Sequence, residues 1–187
     1  MIWASGTFLA AALSSAAVAH SFSVAILASD AQSAAGLPSA VRGFLVASAE
    51  RDGHPDETAD GHIGGLDVFV IPLPAEAAEG IGGLIGNQPD GYDFVVVTGD
   101  DVAAAEDVPG VIATTIVMTP GALPGDAQMS GFAGRYQARF AAPPDRAAAQ
   151  GYNAARRIDA AMRAFGGVSE TDAIRETLRA SADGIDW

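Results

Sequence analysis

Apolar residues in the first part of the chain are concentrated in four short, continuous runs. The runs span residues 22–28, 66–73, 94–99 and 111–118, and they are rich in valine, isoleucine and phenylalanine. A continuous apolar run is typical of a strand that is buried on both faces, whereas a half-exposed strand alternates between apolar and polar residues. The pattern therefore predicts four buried strands.

Segments with helical spacing separate these runs and continue after the last of them. We expect helices at residues 40–51, 75–86, 102–107, 126–140, 146–165 and 170–180. Pro38 is expected to lie in a turn before the first helix, with Ser39 as the N-cap of that helix. Asp145 is expected to cap the helix at 146–165, because aspartate is a preferred N-cap residue.

The predicted order of elements is β-α-β-α-β-α-β-α-α-α. Strands that alternate with helices are typical of an α/β fold in which a parallel sheet is covered on both faces. We therefore predict a three-layer α/β/α domain with a mainly parallel sheet. Right-handed crossovers bring the carboxyl ends of the parallel strands to one edge, and ligands bind to such sheets at that edge.

Polar residues that follow the predicted strands are the candidate ligand-binding residues. They are Ser29, Asp30, Thr98, Asp100, Asp101 and Thr119. The three aspartates would suit an ammonium group or a divalent cation. The alternative is that they cap the helices that follow them in the sequence.

Charge and composition exclude several classes of function. The chain has 187 residues, which suits one domain, and its formal net charge of −13 argues against a nucleic-acid or anionic-membrane partner. It contains neither lysine nor cysteine, so lysine-amine chemistry, thiol chemistry and cysteine zinc sites are excluded. No nucleophile elbow, phosphate-binding loop or dinucleotide-binding motif is present. We therefore predict that the protein is not an enzyme and holds no cofactor.

The first 19 residues have the character of a targeting segment. They are small and apolar, and they end in Ala17-Val18-Ala19, an A-x-A cleavage pattern. We expect a cleaved signal peptide, and the alternative is a retained N-terminal anchor. Either reading predicts an exported, periplasmic protein with a single domain at residues 20–181 and a loose tail at residues 182–187.

Residues 53–65, GHPDETADGHIGG, contain two of the three histidines among several carboxylates. His54 and His62 could form a metal site with these acids. The segment is instead predicted to be a polar loop, because it leads from a helix to the amino end of the next strand, away from the ligand-binding edge. His20 could bind copper if cleavage made it the amino terminus, but a disordered first residue is the simpler interpretation. No metal site is predicted.

Residues 132–181 resemble the C-terminal part of the type I periplasmic solute-binding proteins, the branched-chain amino-acid-binding family of ABC importers. The pattern is an aromatic series, a proline loop, and then a helix with an A-x-G-Y-N-A motif. In this chain these are Phe132, Tyr136, Phe140, Pro143-Pro144 and residues 149–154. The first two strands and Gly64-Gly65 are similar to the opening of that family. The chain is shorter than these two-lobed proteins, so the resemblance implies a truncated, single-lobed version.

The resemblance implies an exported protein that binds a small polar solute, such as an amino acid or an amine, for an ABC-type importer. The alternative is an accessory subunit of a periplasmic or membrane complex, possibly a redox complex, built on a shortened solute-binding fold. The expected partner is then a small solute or a periplasmic protein. Membrane association is expected only through such a partner or through a retained N-terminal segment.

Overall fold

The computed structural model describes residues 21–52, 58–74, 91–99 and 113–187. These residues form an α/β fold. The strands are β1 (Ser21–Ala28), β2 (His62–Ile63), β3 (Leu66–Leu73), β4 (Phe94–Thr98) and β5 (Ile116–Met118). The helices are α1 (Ala31–Ala49), α2 (Asp126–Phe140), α3 (Arg146–Phe165) and α4 (Thr171–Ala180).

The strands form one mixed sheet in the order β2-β3-β1-β4-β5. β1 pairs in parallel with β3 and with β4, and β4 pairs in parallel with β5, whereas β2 is antiparallel to β3. The predicted α/β class and the mainly parallel pairing are therefore confirmed. The fourth strand is shorter than predicted, because residues 113 and 114 form a turn and the strand begins only at Ile116.

The first helix begins nine residues earlier than predicted, at Ala31, so the expected turn at Pro38 and the N-cap at Ser39 are wrong. Asp30 is the N-cap, and its side chain accepts a hydrogen bond from the backbone N–H of Ser33. Pro38 lies inside the helix with an exposed ring. A proline removes one backbone hydrogen bond. Burial of Leu37 and its neighbours against the core offsets this loss.

The predicted polar loop at residues 53–65 is only partly a loop. His62 and Ile63 form β2, and the chain returns into β3 through Gly64 and Gly65, which both have positive φ angles of 64° and 86°. Two such residues form the tight turn that matches the twist of a hairpin. A strand of two residues is too short to give a periodic pattern, so the sequence does not predict it.

The four helices described here contribute their buried apolar side chains to one core on one face of the sheet. Within this layer α1 and α3 approach each other most closely at two glycines. A methyl group on Gly43 would overlap the carbonyl oxygen of Ala148, and one on Gly151 would overlap that of Ala40. The reciprocal contact requires glycine at both positions, because any side chain would push the helices apart.

The predicted loose tail at residues 182–187 has no regular secondary structure, but it is not loose. Its last residue, Trp187, packs edge-on against Tyr152 and Phe132 with ring centroids 4.8 and 5.4 Å apart. Trp187 is partly buried and packs against the core, so these ring contacts hold the end of the segment in place. The prediction failed because a short polar segment with one terminal aromatic shows no periodic pattern.

Several predictions concern residues outside the described ranges. They are the helices at 75–86 and 102–107, the targeting segment at 1–19, and the residues Asp100, Asp101, His20 and His54. Within the described ranges, no helix is long and apolar enough to cross a membrane.

Candidate functional site

The strand order places a topological switch point at the carboxyl ends of β1 and β4. The chain leaves β1, passes through α1 and enters β3 on one side of β1, whereas β4 lies on the other side. Connections that diverge in this way leave a crevice outside the strand ends, and ligands of open α/β sheets bind in such crevices. The position of the site is therefore a consequence of topology.

A crevice of about 320 Å³ occupies this position. Its walls are the first turns of α1 and α3, and its floor is the end of β4. The polar residues and the glycine that shape it include Asp30, Gln32, Thr98, Gly99, Arg146 and Gln150. Carboxylate, guanidinium and amide groups therefore converge on one opening from the starts of two helices.

Asp30 lies at the rim of the crevice as the N-cap of α1. Its Oδ1 accepts hydrogen bonds from the backbone N–H of Ser33 at 2.7 Å and from the Ser33 hydroxyl at 2.9 Å. These bonds, the backbone one first, hold the pKa of the exposed Asp30 carboxyl below its usual value. Asp30 is therefore a helix cap, which was the alternative to a ligand-binding role. Its second carboxylate oxygen, Oδ2, accepts a long hydrogen bond from the Ser29 hydroxyl at 3.4 Å.

Ser29, Thr98 and Gly99 form the floor between the two strands. The backbone N–H of Ser29 donates to the carbonyl of Thr98 at 3.0 Å, and the buried Thr98 hydroxyl donates to the carbonyl of Leu27 at 3.1 Å. Gly99 has a φ angle of 126°, and a side chain there would overlap the Ser29 and Ser33 hydroxyls. The Thr98 hydroxyl is thus used inside the sheet, while the absence of a side chain at Gly99 keeps the crevice open.

The crevice continues along the sheet edge toward β5. The neighbouring cavity has a volume of about 350 Å³, shares Gly99, Arg146 and Gln150 with the first, and adds Thr119 and Gly121. Of the six predicted site residues, the structure therefore brings Ser29, Asp30, Thr98 and Thr119 to one edge of the sheet. Asp100 and Asp101 lie outside the described residues.

Three side chains of α3 that the sequence analysis did not select hold this edge together. The Gln150 amide donates to the carbonyl of Gly99 at 3.2 Å, Asn153 donates to Pro120 and Ala122, and Arg157 donates to Thr119. All three are buried, and their spacing of three and four residues puts them on one face of the helix. The sequence does contain a signal for them, because Gln150, Asn153 and Arg157 are polar residues at helical spacing on a face that otherwise carries mainly small and apolar residues.

The histidine of the opposite edge is engaged in structural contacts. His62 Nε2 lies 2.8 Å from Asp67, and its Nδ1 lies 3.1 Å from Asp52. Asp67 is near the amino end of β3, so the predicted position away from the ligand-binding edge is confirmed for His62. Among the described residues, no group of three or more histidines and carboxylates could hold a metal ion.

Comparisons with known proteins do not identify a family for this chain. No family model matches it, and searches of curated proteins and of solved structures also found no match. The similarity of residues 132–181 to solute-binding proteins therefore supports a proposal only. The position and the chemistry of the crevice are the main basis for a functional conclusion.

Proposed function

We propose that this chain is an exported, single-lobed solute-binding protein that binds a small polar molecule in the crevice at the carboxyl ends of β1 and β4. The observation that carries the proposal is a cavity of about 320 Å³ at the topological switch point, which is where open α/β sheets bind their ligands. The volume suits a metabolite of amino-acid size. The sequence lacks a dinucleotide motif.

The charges around the crevice favour an amino acid or an amine. Asp30 and Asp145 place carboxylates at the starts of α1 and α3, and Arg146 adds a guanidinium between them and the β5 side. A zwitterion can contact both signs of charge, and an amine can contact the carboxylates alone. Charge-assisted hydrogen bonds of this kind give more discrimination than neutral ones.

The finer fold that we propose is a sheet covered on both faces, as in the type I periplasmic binding proteins. The described helices cover one face only. On the opposite face Ala25, Leu27, Val95 and Val97 form a second buried cluster, with 0 to 3% of each residue exposed. Burial of apolar residues to this extent supports the proposal of a sheet covered on both faces.

A ligand screen with the full chain tests the proposed function. We expect one or more L-amino acids, or putrescine, to raise the midpoint of thermal unfolding, with succinate as an anionic comparison. A ligand at a hundred times its Kd stabilises the folded state by about 2.7 kcal/mol, which corresponds to a shift of several degrees. Arg146→Gln should weaken the shift of a zwitterion, while Arg163→Gln, at the far end of the same helix, should leave it unchanged.

Absence of any thermal shift across the whole screen would contradict the proposal. Equal shifts for the wild type and the Arg146→Gln variant would contradict the placement of a zwitterionic ligand in this crevice. The accessory-subunit alternative then makes a different prediction: the chain should co-purify with an exported protein complex at native expression, without any added solute.

A further inference from the structure

The wall of the crevice on the β5 side is the segment at residues 119–122, which follows β5. Its backbone carbonyls accept hydrogen bonds from α3: Arg157 donates to Thr119 at 2.7 Å, and Asn153 donates to Pro120 at 2.7 Å and to Ala122 at 3.1 Å. Asn153 and Arg157 therefore determine where this wall stands relative to the floor at Gly99.

The Asn153 carboxamide connects the wall to the segment that follows α4, residues 181–187, which we call the C-terminal segment. Its Nδ2 donates to the two wall carbonyls, and its Oδ1 accepts a hydrogen bond from the indole Nε1 of Trp187 at 2.6 Å. Asn153 is fully buried. A buried amide whose oxygen and nitrogen are both in use cannot rotate without losing several hydrogen bonds at once.

The C-terminal segment also contacts the wall directly. The backbone N–H of Ala122 donates to the carbonyl of Ala182 at 2.8 Å, and Ala182 lines the β5 half of the crevice. Arg157 spans the same two segments, because its Nε donates to the Ser181 hydroxyl at 3.1 Å while another of its nitrogens donates to Thr119. Ala182, which follows α4, is therefore part of the crevice.

Little space is available for the wall to move on its own. A methyl group on Gly121 would lie 2.6 Å from the Arg157 guanidinium, so the wall backbone is already packed on that side chain. Beyond Asn153, the Trp187 ring packs against Phe132 and Tyr152. A displacement at Gly121 or Ala122 must therefore be transmitted to Asn153 and to the indole, because close-packed groups cannot yield separately.

We propose that Asn153 and Trp187 are positioning residues for the crevice, and that docking of the C-terminal segment is coupled to occupancy of the crevice. The proposal rests on the proposed function in naming a small solute as the natural occupant, but the coupling itself does not require that solute. Coupling free energies are reciprocal: an occupied crevice tightens the docking of Trp187, and an undocked Trp187 weakens binding in the crevice.

NMR spectroscopy of the ¹⁵N-labelled full chain tests the coupling, because the chain contains only two tryptophans and therefore only two indole signals. The Trp187→Phe variant assigns the signal of Trp187. The chain has no cysteine, so a Gln32→Cys variant can be labelled at one site with benzyl methanethiosulfonate, which places a ring on the α1 side of the crevice. A Gln137→Cys variant, labelled on the exposed side of α2, is the matched control.

We expect the adduct at residue 32 to shift the indole signal of Trp187 and to slow hydrogen exchange of its N–H. The adduct at residue 137 should leave both indole signals in place. An unchanged Trp187 signal in the residue-32 adduct would overturn the inference. If Trp187 only stabilised the fold, its indole signal would be the same with and without the adduct at residue 32.

Solute binding gives a second measurement and separates the two proposals. Trp187→Phe keeps a ring but removes the N–H donor to Asn153, so it should weaken the binding of whichever L-amino acid or amine stabilises the protein most, by roughly three- to tenfold. Glu176→Ala, which removes an exposed ion pair with Arg179 within α4, should leave the affinity unchanged.

The outcomes distinguish failure of one proposal from failure of the other. If a solute stabilises the protein while the Trp187 signal does not respond to it, the coupling is wrong and the binding function stands. If no solute binds while the adduct at residue 32 moves the Trp187 signal, the coupling stands and the binding function is wrong.

Discussion

Two cavities at opposite edges of the sheet are similar in size but differ in what surrounds them. The crevice has a volume of about 320 Å³, and the cavity beside the C-terminal end of α1 has about 410 Å³. In the second cavity, Asp60 accepts a hydrogen bond from the backbone N–H of Val70 at 2.8 Å, and Arg139 donates to the carbonyl of Leu45 at 2.6 Å. Its charged groups are thus used to fasten one segment to its neighbour.

The crevice differs because it lies where the connections of the sheet diverge. Side chains reach it from the starts of two helices and from two strand ends, and charges of both signs face the same space. At the amino edge the chain enters the strands through a hairpin and local hydrogen bonds. Position in the topology, and not cavity volume, therefore distinguishes the candidate binding site from a surface depression.

The contact between α1 and α3 supports both edges, so disrupting it should have the largest effect. Gly151→Ala places a methyl group against the carbonyl of Ala40, and we expect a loss of about 3 kcal/mol or more in the free energy of unfolding. Chemical denaturation measures this loss. Gly134→Ala, in an α2 position where a methyl group meets no neighbour, should be neutral or slightly stabilising. Equal effects of the two changes would contradict the close helix contact.

Removing the Asn153 side chain should damage the carboxyl edge and leave the amino edge unchanged. Asn153→Ala leaves two carbonyls and the Trp187 indole without their partner, so we expect a loss of about 2–3 kcal/mol in unfolding free energy. Hydrogen exchange should accelerate at residues 119–122 and 182–187. The amides of β2 and β3 should remain as protected from exchange, relative to the rest of the sheet, as they are in the wild type. Exchange that accelerates equally over the whole sheet would contradict a separate role of Asn153 at the carboxyl edge.

The N-cap at the rim of the crevice should have a smaller and pH-dependent effect. Because its pKa is lowered in the folded state, the Asp30 carboxylate stabilises the protein above the pKa of the unfolded chain, and this contribution is lost as the pH falls through the folded-state value. Asp30→Ala should lower the unfolding midpoint by a few degrees at most at neutral pH. Asp30→Asn keeps a capping oxygen, so it should preserve most of the stability and remove this part of the acid dependence.

The smallest effect is expected at the amino edge. His62→Ala removes contacts with two partly exposed carboxylates, and exposed pairs of this kind contribute about 1 kcal/mol or less. Neither zinc nor EDTA should alter the unfolding midpoint of the wild type or of this variant. A metal-dependent midpoint that disappears in His62→Ala would show that the amino edge is a site after all.

Helix boundaries were predicted well for α2 and α3, where the local start and stop signals agree with the packing. α2 and α3 have the predicted limits, because Pro143-Pro144 separate them, Asp145 caps α3 through the N–H of Ala148, and Gly166 ends it in the left-handed conformation. α1 was predicted too short because Pro38 is a reliable breaker only when tertiary packing does not compensate for it. β2 was missed because two residues cannot show a period.

The candidate site was predicted in its position but not in its construction. Strand ends are visible in the sequence, so Ser29, Asp30, Thr98 and Thr119 could be assigned to the carboxyl edge of a parallel sheet. The side chains that shape the crevice from α3 could not, because Gln150 and Asn153 lie more than thirty residues beyond the loops that they contact. Local patterns carry no information about such long-range partners.

The sequence by itself determined the class of the fold and most of the elements that the structure describes. Continuous apolar runs predict the strands, and apolar residues at helical spacing with capping residues predict the helices. The alternation of strands and helices predicts a mainly parallel sheet. Only the tertiary structure decided the strand order, the glycine contact between α1 and α3, and the bridge from the wall of the crevice through Asn153 to Trp187. The physical reason is that hydrophobic periodicity depends on near neighbours, whereas the pairing of a buried polar group depends on whatever the finished fold places beside it.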